Sequence, residues 1–315
     1  MAGRAAVPPA PSPPHSKEPH MAIAELPAED TIGVVTQSDG YPIHYRRWGK
    51  DSGGDAIVML HGGVSHSQWQ APLAAAIRDA DPSITFIAPD RRGSGLNQDR
   101  RGHLPSKERE IEDVLTVVRE ATARYERVHL AGWCFGAQVA CIAAAELRKE
   151  REIASLLMVS PGFVFGERYA DVLRMSTAAV RGALAELGVT PDPLHAYVPV
   201  PLQPTDFITD EAWLEFATED ELTLRRVTDG TVTVWGELAA WSWEVLPELR
   251  DIPAIAVFGT EDRLVDHDGV ARLLREQLTA RPPVIELLKA PHAVQFADPA
   301  ALAEHLVGFV HQLAR

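Results

Sequence analysis

From Thr31 onward the chain alternates short apolar or β-branched runs with stretches of helical spacing. Parallel strands need crossover connections of helix length, so this alternation predicts an α/β fold with a mostly parallel sheet flanked by helices. The predicted strands are 31–37, 41–48, 56–60, 84–88, 128–131, 155–159, 254–258 and 284–288. The predicted helices are 67–80, 107–125, an Ala-rich one ending near 150, 267–279 and 298–313. Ser-Asp-Gly joins the first two strands as a hairpin.

The alternation stops for residues 163–248, which are rich in Pro and Trp. A structureless loop of that length would be unusual in a compact domain, so we expect a small helical subdomain, with helices near 167–187 and 208–227. The sheet would then be built from residues 30–162 and 249–315. These two ranges form the predicted core.

Residues 1–29 contain seven prolines and no apolar periodicity. This composition is typical of a disordered leader. Translation could start at Met1 or at Met21, and the sequence does not decide between them. No functional residue is expected in this segment.

The charge balance argues against two classes of partner. The chain has 30 Lys and Arg against 44 Asp and Glu, a formal charge of −14, which disfavours nucleic acid and anionic membranes. No apolar run approaches the roughly 18 residues of a spanning helix, and the cytoplasm is the expected compartment. Cys134 and Cys141 are the two cysteines, and both are predicted to be free thiols, Cys141 as core packing.

The most specific motif is Gly132-Trp133-Cys134-Phe135-Gly136, which lies between a predicted buried strand and a predicted helix. A nucleophile at such a strand-to-helix turn needs small residues two positions before and after it. The start of the following helix would also favour a thiolate at Cys134. The alternative is a tight turn around a small buried cysteine.

With this motif the chain resembles α/β-hydrolase-fold enzymes, with cysteine where most members carry serine. The resemblance covers roughly residues 30–313 and includes the order nucleophile, acid, histidine. It implies Asp262, in Gly-Thr-Glu-Asp after strand 254–258, as the acid and His292, in Ala-Pro-His, as the base. Glu261 and Asp266 remain possible substitutes for the acid.

The same resemblance implies an oxyanion hole. His61-Gly62-Gly63 follows strand 56–60, and family members take one backbone N–H from this turn and one from the residue after the nucleophile. Carried over, the donors are Gly63 and Phe135, each worth about 3 kcal/mol in the transition state. His61 and His66 are expected to support the turn rather than to react.

Family members also carry a lid above the nucleophile at the position of the 163–248 insertion. We therefore expect Trp133, Trp213, Trp241 and Trp243 to contribute to an acyl pocket, although many of the insertion's Trp side chains would simply form its core. Arg91 and Arg92 follow strand 84–88. They are interpreted either as part of a solvated loop or as a docking patch for an acidic carrier domain.

A cysteine nucleophile forms a thioester, which favours transfer or ring closure over hydrolysis where water is excluded. The Gly132–Gly136 turn, here called the elbow, and the Asp-Arg-Arg-Gly-Ser-Gly-Leu loop resemble those of cysteine enzymes that release carrier-bound chains. Among these enzymes are Dieckmann cyclases that form tetramate or pyridone rings. That resemblance implies an acyl thioester substrate on a carrier protein, with no metal or organic cofactor. Two other hypotheses stay open: a cysteine-dependent ester, lactone or thioester hydrolase similar to dienelactone hydrolases, and a non-catalytic binding protein.

Overall fold

A computed structural model of the 315-residue chain describes residues 24–148, 153–167 and 196–314, together with the single positions 169, 182 and 186. Residues 24–29 of the predicted leader are described as irregular chain, and the rest of the leader lies outside the described residues. Most of the helix predicted at 167–187 also lies outside them. The prediction for that segment therefore stays a prediction.

The core of the molecule is one sheet, which contains eight strands within the described residues. Its spatial order is β1-β2-β4-β3-β5-β6-β9-β10, and β2 runs antiparallel to both neighbours while the remaining pairs are parallel. These strands are β1 (Thr31–Thr36), β2 (Pro42–Trp48), β3 (Asp55–Leu60), β4 (Thr85–Pro89), β5 (Arg127–Trp133), β6 (Ser155–Val159), β9 (Ala254–Gly259) and β10 (Val284–Leu288). The α/β prediction is confirmed, with strand ends shifted by one or two residues.

The central strands are covered on both faces, as their composition requires. Every residue of β4, β6 and β9 is buried, which is typical of parallel strands between two helical layers. The helices of the described core are α1 (Ala71–Ala80), α2 (Lys107–Arg124), α3 (Phe135–Leu147), α6 (His267–Gln277), α7 (Val294–Ala297) and α8 (Pro299–Leu313). Helix α2 begins where the Ser106 hydroxyl accepts from the backbone N–H of Arg109.

Residues 196–248, the described part of the insertion, are here called the cap segment. It contains β7 (Tyr197–Pro199) paired antiparallel with β8 (Arg226–Thr228), and helices α4 (Glu211–Glu219) and α5 (Asp229–Val245). The helix predicted at 208–227 is therefore wrong beyond Glu219. It ends there because the Asp220 carboxylate accepts hydrogen bonds from the His66 ring and Trp69 Nε1 of the core, at 2.7 and 2.8 Å.

Backbone hydrogen bonds also fasten the cap segment to the core, and two of them lie at one edge of the sheet. The N–H of Leu224 donates to the carbonyl of Val64, and the N–H of Ala293 donates to the carbonyl of Phe207. Both contacts lie beside loops at the carboxyl ends of core strands, the edge where parallel α/β sheets place their sites. No helix in the described ranges combines the length and apolarity needed to cross a bilayer.

Candidate active site

Cys134 stands at the turn between β5 and α3, in a backbone conformation that side chains rarely adopt. Its φ is 54° and its ψ is −120°, a region that is strained for a residue with a Cβ. The backbone N–H of Cys134 donates to the carbonyl of Val159, and its carbonyl accepts from the N–H of Gly162. The turn is thus held from the neighbouring strand, and Cys134 projects from it.

The two glycines that frame this turn are required by close backbone approach. A Cβ on Gly132 would collide with the backbone of Gly136 and Ala137, and one on Gly136 would collide with the carbonyl of Leu60. Either collision would force strand and helix apart. The Gly-x-Cys-x-Gly spacing therefore reflects a steric need of the elbow, as the sequence predicts.

His292 and Asp262 form a buried pair beside this turn. Nδ1 of the His292 ring lies 2.7 Å from Oδ2 of Asp262, and neither side chain is exposed. The Asp262 carboxylate also accepts from the backbone N–H groups of Leu264 and Val265, at 2.8 and 3.1 Å. These bonds fix the orientation of the carboxylate and, through it, of the ring.

Electrostatics at this pair favour the imidazolium form of His292. Burial disfavours the charged ring, but the negative charges of Asp262 and Cys134 and the hydrogen bond to Asp262 outweigh it and raise the pKa of His292 to about 10. Nε2 makes no hydrogen bond within the described residues. Burial also opposes ionisation of Asp262, yet the charge and hydrogen bond of His292 hold the pKa of this carboxyl below its usual range. The imidazole is thus held by Asp262 on one side, with Nε2 available to exchange a proton with a neighbouring group.

The neighbouring carboxylates are placed elsewhere. Glu261 is exposed, and Asp266 accepts from the N–H of Gly269 as the N-cap of α6. The structure brings Asp262, and not these two, to His292. Cys141 is fully buried on α3, and burial raises the pKa of its thiol to about 12, in keeping with a packing role.

The turn carrying Gly63 lies against the start of α3. A Cβ added to Gly63 would lie 4.0 Å from the Cβ of Phe135. The backbone N–H groups of Gly63 and Phe135 donate to no other group in the described part of the chain. Two unpaired N–H groups that line one cavity with Cys134 are the arrangement that stabilises an oxyanion.

Arg91 holds this turn from behind. Its guanidinium donates to the carbonyls of Gly62 and Gly63, each at 3.0 Å, and to Glu110 at 3.2 Å. It also lies 5.1 Å from the centre of the Phe135 ring. Arg91 therefore contacts both the Gly63 turn and Phe135, the two places that carry the unpaired N–H groups. Its hydrogen bonds fix the peptide planes of the Gly63 turn.

Neither interpretation of Arg91 and Arg92, as part of a solvated loop or as a docking patch for a carrier domain, fits the structure. Arg91 is 6% exposed, and the Arg92 side chain is 7% exposed. Arg92 pairs with Asp113, at 2.6 Å, and its guanidinium lies 3.9 Å from the Tyr41 ring centre. Buried acidic partners on α2 draw both arginines inward, so neither side chain is available to a carrier domain.

The histidines of the same turn have supporting roles, as expected. The N–H of Arg91 donates to Nε2 of His61 at 3.0 Å, so Nδ1 carries the ring proton and donates to the carbonyl of Gly62 at 2.8 Å. Burial, and then the charge of Arg91, place the pKa of His61 well below its usual value. His66 is paired with Asp220 of the cap segment.

Cys134 opens into a cavity of about 290 Å³ between the core and the cap segment. Its lining is almost entirely apolar, and includes Phe165, Val198, Leu202, Phe207, Val232, Trp235 and Leu264. Such a space suits an acyl chain rather than a charged group. Within the described residues, no cluster of His, Cys, Asp and Glu could hold a metal ion.

The predicted tryptophan pocket is largely wrong. Trp133 lines the cavity, but Trp213, Trp241 and Trp243 do not. Trp213 packs on Phe296 at 4.7 Å between ring centres, Trp241 lies under the ammonium of Lys107, and Trp243 is 44% exposed on α5. The cap segment places Trp235 in the cavity instead, with its ring 6.0 Å from that of Phe135.

Aromatic rings close off the base from solvent. The Trp133 ring lies 5.3 Å and the Phe207 ring 5.8 Å from the His292 ring. Trp133 Nε1 also donates to the His292 carbonyl at 3.1 Å. The sequence analysis missed Phe207, since a single Phe in a Pro-rich stretch carries no periodic signal that would set it apart.

Comparison with known proteins agrees with this geometry. The family model described as serine aminopeptidase, S33, matches residues 54–293, a range that contains Gly63, Cys134, Asp262 and His292. A non-heme chloroperoxidase of Streptomyces lividans is 26% identical over 289 residues, which cover 89% of this chain and 99% of that protein.

Among solved structures, a soluble variant of monoglyceride lipase from Saccharomyces cerevisiae aligns with a TM-score of 0.69 at 14% identity, covering 93% of this chain and 99% of the lipase. The thioesterase domain from the curacin biosynthetic pathway aligns with a TM-score of 0.57 at 15% identity, covering 88% of this chain and 99% of the domain. At such identities the likeness shows a shared fold.

Proposed function

The chain belongs to the family described as serine aminopeptidase, S33, and is an enzyme of the α/β-hydrolase class; from that premise we propose that it transfers acyl groups through a covalent thioester on Cys134. The observation that carries the proposal is the residue at the elbow. The family's name refers to serine, whereas this chain presents a sulfur to the buried ring of His292 at the edge of an apolar cavity.

In the first half-reaction the Cys134 thiolate attacks the carbonyl carbon of an acyl thioester. The carbonyl oxygen gains the charge and accepts from the N–H groups of Gly63 and Phe135. As the tetrahedral adduct collapses, the carbon–sulfur bond to the leaving thiol breaks, and His292 gives that thiolate its proton. The acyl chain stays on Cys134, and Asp262 keeps the ring oriented.

In the second half-reaction a nucleophile within the acyl chain displaces the sulfur of Cys134. Neutral His292 takes a proton from an activated methylene, the carbanion attacks the thioester carbon, and a carbon–carbon bond forms as the carbon–sulfur bond breaks. The departing Cys134 thiolate regenerates the starting state. This is a Dieckmann-type ring closure of the tetramate or pyridone class, and it uses thiol, imidazole, carboxylate and backbone groups of this chain.

The burial of His292 beneath aromatic rings favours ring closure rather than attack by water on the acyl-enzyme. His292 is fully buried beneath Trp133 and Phe207, and thioesters hydrolyse slowly when water is kept away. We further propose that the acyl chain arrives on a carrier protein. With Arg91 and Arg92 buried, a carrier would have to be recognised by other surface groups.

Intact-mass spectrometry tests the proposal directly. The protein is mixed with an acyl-N-acetylcysteamine thioester that has an activated methylene, and both adduct and product are followed over time. We expect the intact protein to gain the mass of one acyl group, and digestion to place that group on the peptide containing Cys134. The group should then be lost as a cyclised product. Absence of any adduct under conditions of turnover would overturn the covalent mechanism.

Membership of a hydrolytic family favours a second candidate, a cysteine-dependent ester, lactone or thioester hydrolase. The same experiment separates the two, because a hydrolase releases free acid and incorporates ¹⁸O from labelled water into it. A lactone supplied in parallel would then also be opened. Binding without any covalent adduct on Cys134 would instead support a non-catalytic protein that retains the fold.

A further inference from the structure

The apolar cavity contains two polar side chains, Gln138 and Ser65, whose hydrogen-bonding groups have no partner in the described part of the chain. Gln138 lines the cavity and is 2% exposed. Its carboxamide makes no hydrogen bond with any residue in the described ranges. Ser65, also on the cavity lining, is fully buried, and its hydroxyl lacks a partner as well. Buried carboxamides and hydroxyls are normally paired, because burying them unpaired is unfavourable.

The position of Gln138 relative to the nucleophile is set by the helix. Helix α3 begins directly after Cys134, and Gln138 lies in its first turn, three residues after Phe135, so that Gln138 and Phe135 lie on the same side of the helix. Cys134, Phe135 and Gln138 all line the cavity. The three residues of helical rise from Phe135 to Gln138 correspond to about 4.5 Å. Ser65 follows Gly63 by two residues on the opposite wall. Both polar side chains therefore flank the pair of N–H groups that would hold the thioester oxygen.

A carboxamide offers both N–H donors and a carbonyl acceptor, and a hydroxyl offers one donor and acceptor lone pairs. We propose that Gln138, with Ser65, determines specificity by hydrogen-bonding a carbonyl or amide of the acyl chain within about one helical turn of the reacting carbon. A plain alkyl chain would leave the carboxamide unpaired, and a site of this kind discriminates against such chains. The inference rests on the proposed acyl-enzyme and adds the class of chain that it accepts.

The experiment measures loading of Cys134 by two thioesters of equal length, decanoyl- and 3-oxodecanoyl-N-acetylcysteamine. Loading rates come from intact mass, and each is divided by the rate of the same thioester with free cysteine, which corrects for intrinsic reactivity. We expect wild-type protein to prefer the 3-oxo chain. In Gln138→Leu and Gln138→Met we expect that preference to fall about tenfold.

Gln70→Leu is the matched control. Gln70 is likewise a fully buried glutamine with both polar side-chain atoms unpartnered, but it is not on the cavity lining. Its substitution should leave the preference at the wild-type ratio. Circular dichroism of each variant identifies any that fails to fold.

The outcomes separate the two claims. If neither thioester loads Cys134 in wild-type protein, the proposed function fails. If both load but wild type shows no corrected preference for the 3-oxo chain, or if a folded Gln138 variant keeps that preference, the role of Gln138 is overturned and the acyl-enzyme stands. Should both Gln138 variants misfold, the absence of a corrected preference in wild-type protein would still overturn the role of Gln138.

Discussion

The two walls of the cavity are built on different principles. On the core wall, Gly63, Cys134 and Phe135 are positioned by the sheet edge, by strained or unpaired backbone and by the guanidinium of Arg91. On the cap wall, Val198, Leu202 and Trp235 present apolar side chains. Reactivity therefore depends on backbone geometry in the core wall, where Gln138 and Ser65 are proposed to hydrogen-bond polar groups of the acyl chain, whereas the cap wall is expected to set the length and bulk of the chain that fits. Substitutions in the two walls should therefore act on different kinetic parameters.

The largest expected effect follows from Cys134→Ala on the core wall. We expect acyl loading to be abolished, since no other described thiol reaches the cavity and Cys141 is buried in α3. Cys134→Ser should retain slow turnover and shift the product toward free acid, because an oxygen ester replaces the thioester. Intact mass and product analysis check both variants, and undiminished turnover by the alanine variant would contradict the mechanism.

Asp262→Asn should be next in size, with kcat for loading lower by about 10³-fold to 10⁴-fold. The reason is that the charge of Asp262 is the largest of the interactions that raise the pKa of His292, so without it the imidazolium is lost at lower pH. The alkaline limb of the pH–rate profile should therefore shift to lower pH. An unchanged profile would mean that Asp262 does not govern the ring.

Asp262→Asn should also change how the unfolding free energy depends on pH. A raised pKa at His292 stabilises the fold fully below its unfolded value of about 6.5, and this contribution is lost as pH rises toward about 10. The lowered pKa of Asp262 contributes above its unfolded value of about 4 and is lost as pH falls. The difference in unfolding free energy between wild type and Asp262→Asn should thus be greatest between about pH 4 and 6.5. Urea denaturation across pH measures it.

Arg91→Lys should lower kcat by about tenfold to a hundredfold with a smaller change in KM, since one ammonium cannot replace a guanidinium that bridges Gly62, Gly63 and Glu110. Arg92→Lys is the matched control, because Arg92 is equally buried but pairs with Asp113. It should lower stability without a selective loss of kcat. Equal kinetic losses in both variants would count against a positioning role for Arg91.

The smallest effect is expected from the cap wall. Trp235→Ala should change kcat for loading only a few-fold while shifting the preferred chain toward longer acyl groups, because removing the indole enlarges the cavity. Trp243→Ala, on the same helix but 44% exposed, should leave chain-length preference as it is. A loss from Trp235→Ala as large as that from Asp262→Asn would end the distinction between the walls.

The sequence predicted the core wall well because local rules determine it. Apolar runs such as Ser155–Val159 became strands at the predicted residues, and the glycines around Cys134 mark a turn that only they allow. His292 was found from its place after the last strand, and the structure places it beside Asp262.

The cap wall was predicted poorly because its arrangement depends on tertiary partners. Helix α4 ends where Asp220 meets His66 and Trp69, residues about 150 positions away along the chain. Nothing local distinguishes Trp235, which reaches the cavity, from Trp243, which does not. The burial of Arg91 likewise depends on its ion pair with Glu110, a residue 19 positions further along the chain.

Trp133 contacts both the cavity and the catalytic base proposed at His292. Its ring lines the cavity, and its indole N–H holds the main chain of His292. Replacing Trp133 by a smaller residue would therefore enlarge the cavity and at the same time remove a hydrogen bond that holds the main chain of His292. Diversification of substrate range should be channelled to the opposite side, where a side chain can be exchanged while the proton-transfer apparatus stays in place.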